Sequence, residues 1–93
     1  MKKNYTLKVG NIQVFDDEYD TIEVAVGDRR YIAKNYPDAV VNGSRYYGVR
    51  EMDDVKHENR EIGCVAGKLN AINLILKDAG AKTYQTLARK VSA

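Results

Sequence analysis

The chain offers few side chains that could act as a catalytic nucleophile or base. It has one histidine and one cysteine, and its only serines are Ser44 and Ser92. Neither serine has the strand–turn–helix context of a nucleophile elbow. His57 and Cys64 fall on one predicted helix, where seven residues separate them by roughly 10 Å of rise, too far for the imidazole to activate the thiol. We therefore predict no catalytic residues and no enzymatic activity.

Four acidic and imidazole side chains have the spacing of a metal site on a helix. Asp54, His57, Glu58 and Glu61 lie at i, i+3, i+4 and i+7, and such positions can share a metal. One helix supplies only half of a typical site, so a second copy or the acidic run 16–20 would have to complete it. The competing interpretation is a solvated, acidic first turn. Because no phosphate-loop pattern is present either, we predict no metal and no cofactor.

Tyrosines alternate with basic residues in the segments 29–36 and 45–50. Exposed tyrosines on a sheet can stack on bases while arginine and lysine hold the phosphates, and the same side chains could contact a protein. The competing interpretation is a half-buried sheet face, where tyrosine is a favoured residue. The predicted binding residues are Arg29, Arg30, Tyr31, Arg45, Tyr46, Tyr47 and Arg50.

Two fragments resemble the paired signatures of the RNA recognition motif. The segment 7–12 is similar to the first-strand signature of that family, and the segment 45–49 is similar to its third-strand signature. Lys8 stands where the family has a stacking aromatic, and Tyr46 replaces a glycine. The resemblance implies RNA bound on the sheet surface, and it requires a first helix within 16–30.

Composition limits the class of protein. The chain has 93 residues, 44% apolar and 30% charged, which is typical of one globular domain spanning 1–93. The net charge of +2 is too near neutral to indicate nucleic-acid binding by itself. A single cysteine suits a reducing compartment, and no apolar run is long enough for a signal peptide or a membrane span. We expect a cytoplasmic protein without membrane contact.

The first half of the chain reads as strands. Residues 5–9 and 12–15 alternate around a Gly10–Asn11 turn, and 21–26 is rich in β-branched residues. The acidic run 16–20 reads as a loop.

After Gly27–Asp28 the chain either forms a hairpin into a strand 29–34 or caps a short helix that ends before Pro37. We prefer the hairpin, which pairs Val24 with Tyr31 and Ile22 with Ala33. Asn42–Gly43 is the strongest turn signal in the chain, and it predicts strands at 38–41 and 44–50.

The second half reads as helix. Apolar residues at three-and-four spacing predict a helix over about 54–79, capped at its start by Asp53 or Asp54 and ended by Gly80. A weaker pattern predicts a short helix over 83–91. A second side of the long helix carries small residues, which indicates either the terminal segment folding back or a subunit interface. The residues of this predicted interface are Gly63, Gly67, Ala71 and Leu74.

Together these patterns predict an α+β fold, with an antiparallel sheet of hairpins over about 4–50 packed by the 54–79 helix and a short terminal helix. The predicted function is a small non-enzymatic binding protein, a regulator or inhibitor that occupies a partner protein's surface and also admits a homodimer. Compact proteins of this kind are common in viruses and mobile elements, so we consider a phage origin. The alternative function is a single-stranded RNA-binding module that uses the tyrosines and arginines.

Overall fold

The computed structural model describes the backbone of residues 5–41, 44–53 and 58–92, and it places six strands before two helices. The α+β class predicted from the sequence is confirmed. The strands are β1 (Leu7–Val9), β2 (Ile12–Asp16), β3 (Thr21–Val26), β4 (Arg29–Val41), β5 (Ser44–Asp53) and β6 (Glu58–Ala66), and the helices are α1 (Lys68–Asp78) and α2 (Tyr84–Ser92).

The six strands form one antiparallel sheet in which each strand pairs with the next in sequence. Val9 pairs with Ile12 across the predicted Gly10–Asn11 turn, and Gly10 has a φ of +57°, which glycine adopts without a Cβ clash. Gly27 makes the same kind of turn between β3 and β4, with a φ of +60°. Local turn chemistry therefore fixes the two hairpins β1–β2 and β3–β4.

Both cross-strand pairs predicted for β3 and β4 are confirmed. Val24 lies opposite Tyr31, and Ile22 lies opposite Ala33. The alternative of a short helix before Pro37 is wrong, because β4 runs unbroken through that segment. Asn42–Gly43 lies outside the described residues, although Val41 and Ser44 pair on either side of it.

Both helices pack on one face of the sheet, and this inner face holds the core. Alternate strand residues point into it, including Val14, Val24, Tyr31 and Val49, which are fully buried. Helix α1 packs against β3, β4, β5 and β6, while α2 packs against β1 and α1. From α1 the core receives Ala71, Ile72, Ile75 and Leu76, and from α2 it receives Leu87.

The predicted helix over 54–79 is wrong in its first half. Residues 58–66 form β6, and α1 begins only at Lys68, after Gly67. Of the two predicted caps, Asp53 ends β5 instead, and Asp54 lies outside the described residues. The positions of Ile72 and Leu76 on the inward side of α1 are as predicted.

A β-bulge explains the false helical spacing. Val49 pairs with Gly63 while Arg50 pairs with Glu61, so Ile62 is an extra residue in β6. Ile62 and Val65 both pack against the core. The bulge therefore places two inward residues three apart, and this mimics a helix.

The end of α1 follows the prediction. Gly80 has a φ of +75°, and its N–H donates to the carbonyl of Lys77 while the N–H of Ala81 donates to that of Leu76. This pair of bonds is a Schellman motif. The short terminal helix is also confirmed as α2.

The order of elements contradicts the resemblance to the RNA recognition motif. That family alternates strands and helices as β-α-β-β-α-β, whereas this chain completes its described sheet before its first described helix. The helix expected within 16–30 is absent there, because β3 occupies 21–26. Among the described residues, neither helix combines the length and apolar character that crossing a membrane requires.

Candidate functional site

The sheet has an outer face that neither described helix covers. Residues alternate between the two faces along each strand, so every residue next to a core position points outward. Phe15, between buried Val14 and Asp16, is 50% exposed, and Tyr36 is also exposed. Ile32, Tyr46 and Met52 lie on this face as well and are half-buried.

The structure divides the seven predicted binding residues between the two faces. Arg30, Tyr46 and Arg50 point outward. Tyr31 and Tyr47 point into the core, and each is 1% exposed, so the prediction that they form a contact surface is wrong. Adjacent residues of a strand point to opposite faces, and a run of neighbours therefore cannot share one surface. The remaining two, Arg29 and Arg45, lie on the side of the helices and bond to other parts of the chain.

Arg29 belongs to an ion cluster that ties the C-terminal end of α1 to the sheet. Its guanidinium donates to Glu51 at 2.7 Å and to Asp78 at 3.2 Å, and Arg60 of β6 donates to the same two carboxylates. The Tyr31 hydroxyl also donates to Asp78, at 3.2 Å. Three strand residues, Arg29, Tyr31 and Arg60, thus donate to the last residue of α1, which identifies this cluster as a structural clamp.

The charges of the clamp shift the ionisation of its members. The hydrogen bond from Arg29 lowers the pKa of Glu51 from 4.5 to about 2, and Arg60 acts in the same direction. The hydrogen bond from Arg60 lowers the pKa of Asp78. Burial raises the pKa of Tyr31 to about 12, so its hydroxyl stays protonated and able to donate. All members therefore keep the ionisation state that holds the cluster together at neutral pH.

An ion pair with a buried carboxylate fixes the other end of α1. The side chain of Asp16 is fully buried and accepts from the Lys68 ammonium at 3.0 Å and 3.2 Å. It also accepts from the backbone N–H groups of Tyr5 and Glu18. The run 16–20 was predicted to be a loop, and for Asp16 this is wrong, because Asp16 ends β2 and is buried. Its role is to anchor α1, since its partner is the first residue of that helix.

The centre of the outer face holds a shallow depression of about 450 Å³. Phe15 and Met52 line opposite sides of it, Ala25 lies between them, and Glu23 and Arg30 add polar groups. Because the side chain of Ala25 is small, it forms the floor of the depression, and the larger neighbouring side chains form its walls. The depression has the size and lining to accept one apolar side chain of a binding partner.

An aromatic pair lies beside this depression on β4 and β5. The ring of Tyr36 covers Gly48, where an added Cβ would stand only 2.5–2.9 Å from ring atoms. Tyr46 lies next to it, with ring centroids 6.4 Å apart. Only glycine leaves room for the Tyr36 ring to lie on the sheet, and the pair extends the apolar area of the outer face.

Positive charge predominates around these apolar groups. Lys34 and Arg50 make no ion pair with the described part of the chain, and Lys8 and Arg30 also point outward. The described acidic side chains on the same face are Glu23 and Glu61. The outer face therefore carries more described cations than acids, although the whole chain carries only +2.

The predicted interface on one side of a helix is wrong, because its four residues do not lie on one helix. Gly63 lies in β6, Gly67 precedes α1 with a φ of +90°, and Ala71 is fully buried. Leu74 remains half-buried on α1, and its Cδ2 lies 3.7 Å from where a Cβ on Gly63 would stand. Gly63 and Leu74 thus meet across a strand and a helix, beside the groove that follows β6.

The considered metal set is not a helical cluster. Asp54 and His57 lie outside the described residues, and Glu61 is a strand residue opposite Arg50. The predicted separation of His57 and Cys64 along one helix no longer applies, because Cys64 lies in strand β6. Within the part of the chain whose side chains are described, no three histidine, cysteine, aspartate or glutamate residues come close enough to hold a metal.

Phe15, Tyr36 and Met52 are not among the predicted binding residues. The alternation of side chains along β2 and β4 places Phe15 and Tyr36 on the outer face. Comparison of the chain with protein-family models, with curated proteins and with solved structures found no match.

Proposed function

We propose that the protein is a non-enzymatic binding protein that occupies the surface of a partner protein with the outer face of its sheet. The observation that carries the proposal is Phe15, half-exposed at the side of a depression with mixed apolar and polar lining that neither described helix covers. The outward face of an antiparallel sheet in water is usually polar. A contiguous apolar area surrounded by charged side chains is typical of a protein-binding surface.

The lining of the face indicates the chemistry of the partner. The depression between Phe15 and Met52 fits an aliphatic or aromatic side chain, and methionine adapts its shape to the group it contacts. Lys34 and Arg50 favour acidic residues around that apolar group. The preferred partner is therefore a protein with an apolar side chain in acidic surroundings.

Single-stranded RNA remains the second candidate, because Tyr36, Tyr46 and Arg50 share the outer face. Two observations make it the weaker one. Tyr31 and Tyr47 are buried and cannot stack on bases. The ring of Tyr36 lies against Gly48 and has one face left for a base. The RNA hypothesis thus keeps fewer stacking platforms than the sequence predicts.

Affinity capture with matched variants tests the proposal. The wild-type chain, Phe15→Ala, Arg50→Glu and Tyr19→Ala are used as baits, and retained proteins are quantified by mass spectrometry with and without nuclease. Tyr19 is the control, because it is an aromatic residue, 69% exposed, on the loop after β2. We expect proteins that the wild type and Tyr19→Ala retain equally and that Phe15→Ala and Arg50→Glu lose, whether or not nuclease is added.

Two results would count against this function. Equal retention by all four baits would show that the outer face is not the contact surface. Retention that nuclease abolishes, together with binding of a labelled single-stranded RNA that weakens steeply with salt, would replace the protein partner with RNA.

A further inference from the structure

The two edge strands of the sheet differ in how they are protected. Strand β1 has three residues and packs beside α2, whereas β6 has nine residues and no described strand on its outer side. Proteins usually shorten, charge or cover such edges to prevent unwanted pairing. The first half of β6 follows this rule with Arg60 and Glu61. The second half, 62–66, contains no charged residue and no proline.

The unpaired backbone groups of this second half can be assigned. The N–H of Gly67 donates to Arg45 at 2.7 Å, so it points toward β5. Successive residues of a strand point their N–H and C=O groups to opposite sides. Cys64 and Ala66 therefore direct these groups away from the sheet. The carbonyl of Ala66 accepts from the Asn70 side chain, and Cys64 keeps both groups available along the described edge.

We propose that two copies of the chain pair through β6, antiparallel and centred on Cys64. In this register Cys64 faces Cys64 of the second copy, and Gly63 faces Val65. The glycine thus lies opposite a β-branched residue on both sides of Cys64, and the segment 63–65 is complementary in size to itself. A two-fold interface requires this self-complementarity, whereas binding of an unrelated peptide does not.

The groove along β6 supports the same arrangement. It has a volume of about 570 Å³ and runs between Cys64, Val65 and Ala66 of the strand and one side of α1. Leu74 lies on that side of the helix and is half-buried. In the pair, the α1 helices of the two copies approach each other along this groove, and Leu74 gains apolar contact.

Pairing in this register has a consequence for binding. The two-fold axis of an antiparallel strand pair stands perpendicular to the sheet, so the outer faces of both copies lie on the same side. The dimer presents two depressions to one partner surface, and two linked contacts bind more tightly than one.

Light scattering across a concentration series tests the pairing. We expect a mass twice that of one chain for the wild type and for Cys64→Ser, and the mass of one chain for Cys64→Lys. The lysine variant places two like charges directly opposite each other, and the position is exposed in the single chain. Mild oxidation of the wild type should give a disulfide-linked dimer, because directly opposite residues have Cα atoms about 5.5 Å apart, within the range of a disulfide.

A single-chain mass for Cys64→Ser at every concentration overturns the proposal and leaves β6 to an extended segment of another protein. A Cys64→Lys variant that stays dimeric also overturns it. If Cys64→Lys does not fold, Ala66→Pro decides in its place, since it removes an outward N–H that the pairing needs.

Discussion

Replacing Glu51 with glutamine removes the carboxylate that receives both arginines of the clamp. In the folded chain, the Arg29 hydrogen bond lowers the pKa of Glu51 from 4.5 to about 2. Because the folded pKa lies below the unfolded one, the carboxylate stabilises the fold above about pH 4.5, and this contribution is lost as the pH falls through about 2. A pKa shift of this size corresponds to a contribution of at most roughly 3 kcal/mol to the free energy of unfolding. The side chain of Glu51 keeps 19% of its surface in water, and solvent screening reduces the expected contribution to about 1–2 kcal/mol.

Urea unfolding followed by circular dichroism measures this contribution. With an m value of about 1.5 kcal/mol/M, we expect Glu51→Gln to lower the urea midpoint by about 1 M at neutral pH. The gap between wild type and variant should close as the pH falls from about 4 toward 2, because the wild-type carboxylate then becomes protonated as well. Glu23→Gln is the matched control, since Glu23 is exposed on β3, two strands away from β5 in the sheet, and its curve should follow the wild type.

Two outcomes would refute the reasoning. A Glu51→Gln variant as stable as the wild type at neutral pH would show that the clamp contributes nothing. A gap that stays constant down to about pH 2 would show that the loss comes from packing and not from the charge of Glu51.

The remaining predictions concern buried polar groups. Asp16→Asn should cost about 3 kcal/mol, because it leaves the Lys68 ammonium without its anion, and adding Lys68→Met should recover part of this loss in the same urea assay. A loss below about 1 kcal/mol would contradict the anchoring role. Tyr31→Phe should cost about 1–2 kcal/mol through a lost hydrogen bond to a carboxylate. Tyr47→Phe should change stability by less than about 0.5 kcal/mol, since its buried hydroxyl has no partner in the described chain. Equal losses for the two tyrosines would refute this distinction.

Local signals account for what the sequence predicts correctly. The Gly10–Asn11 and Gly27–Asp28 turns determine their hairpins within a few positions of the chain. Counting residues outward from the Gly27–Asp28 turn places Val24 opposite Tyr31. Gly80 ends α1 by a conformation that depends on its own missing Cβ.

Long-range contacts account for most of what it does not predict. Asp16 pairs with Lys68, which lies 52 residues away in the sequence. When that partner is not known, an acidic residue at this position favours a loop. The clamp likewise joins Arg29 to Asp78, 49 residues away. The bulge at Ile62 depends on pairing with β5, so its spacing alone favours a helix.

The candidate site was mispredicted for a different reason, which is that residue type was weighed above strand alternation. Tyr31 and Tyr47 satisfy the composition of a binding surface, but they share a face with Val24 and Val49 and are buried with them. The two-residue period of β2 and β4 places Phe15 and Tyr36 on the opposite face from these core residues.

The most direct test of the central claim is photo-crosslinking from the two sides of the molecule. A photo-reactive phenylalanine analogue is placed at Phe15 on the outer face or at Val91 on α2, both of which are exposed. The account predicts protein adducts from position 15 that nuclease does not remove, and few or none from position 91. Adducts from position 91 with none from position 15 would contradict the claim that the outer face of the sheet binds the partner.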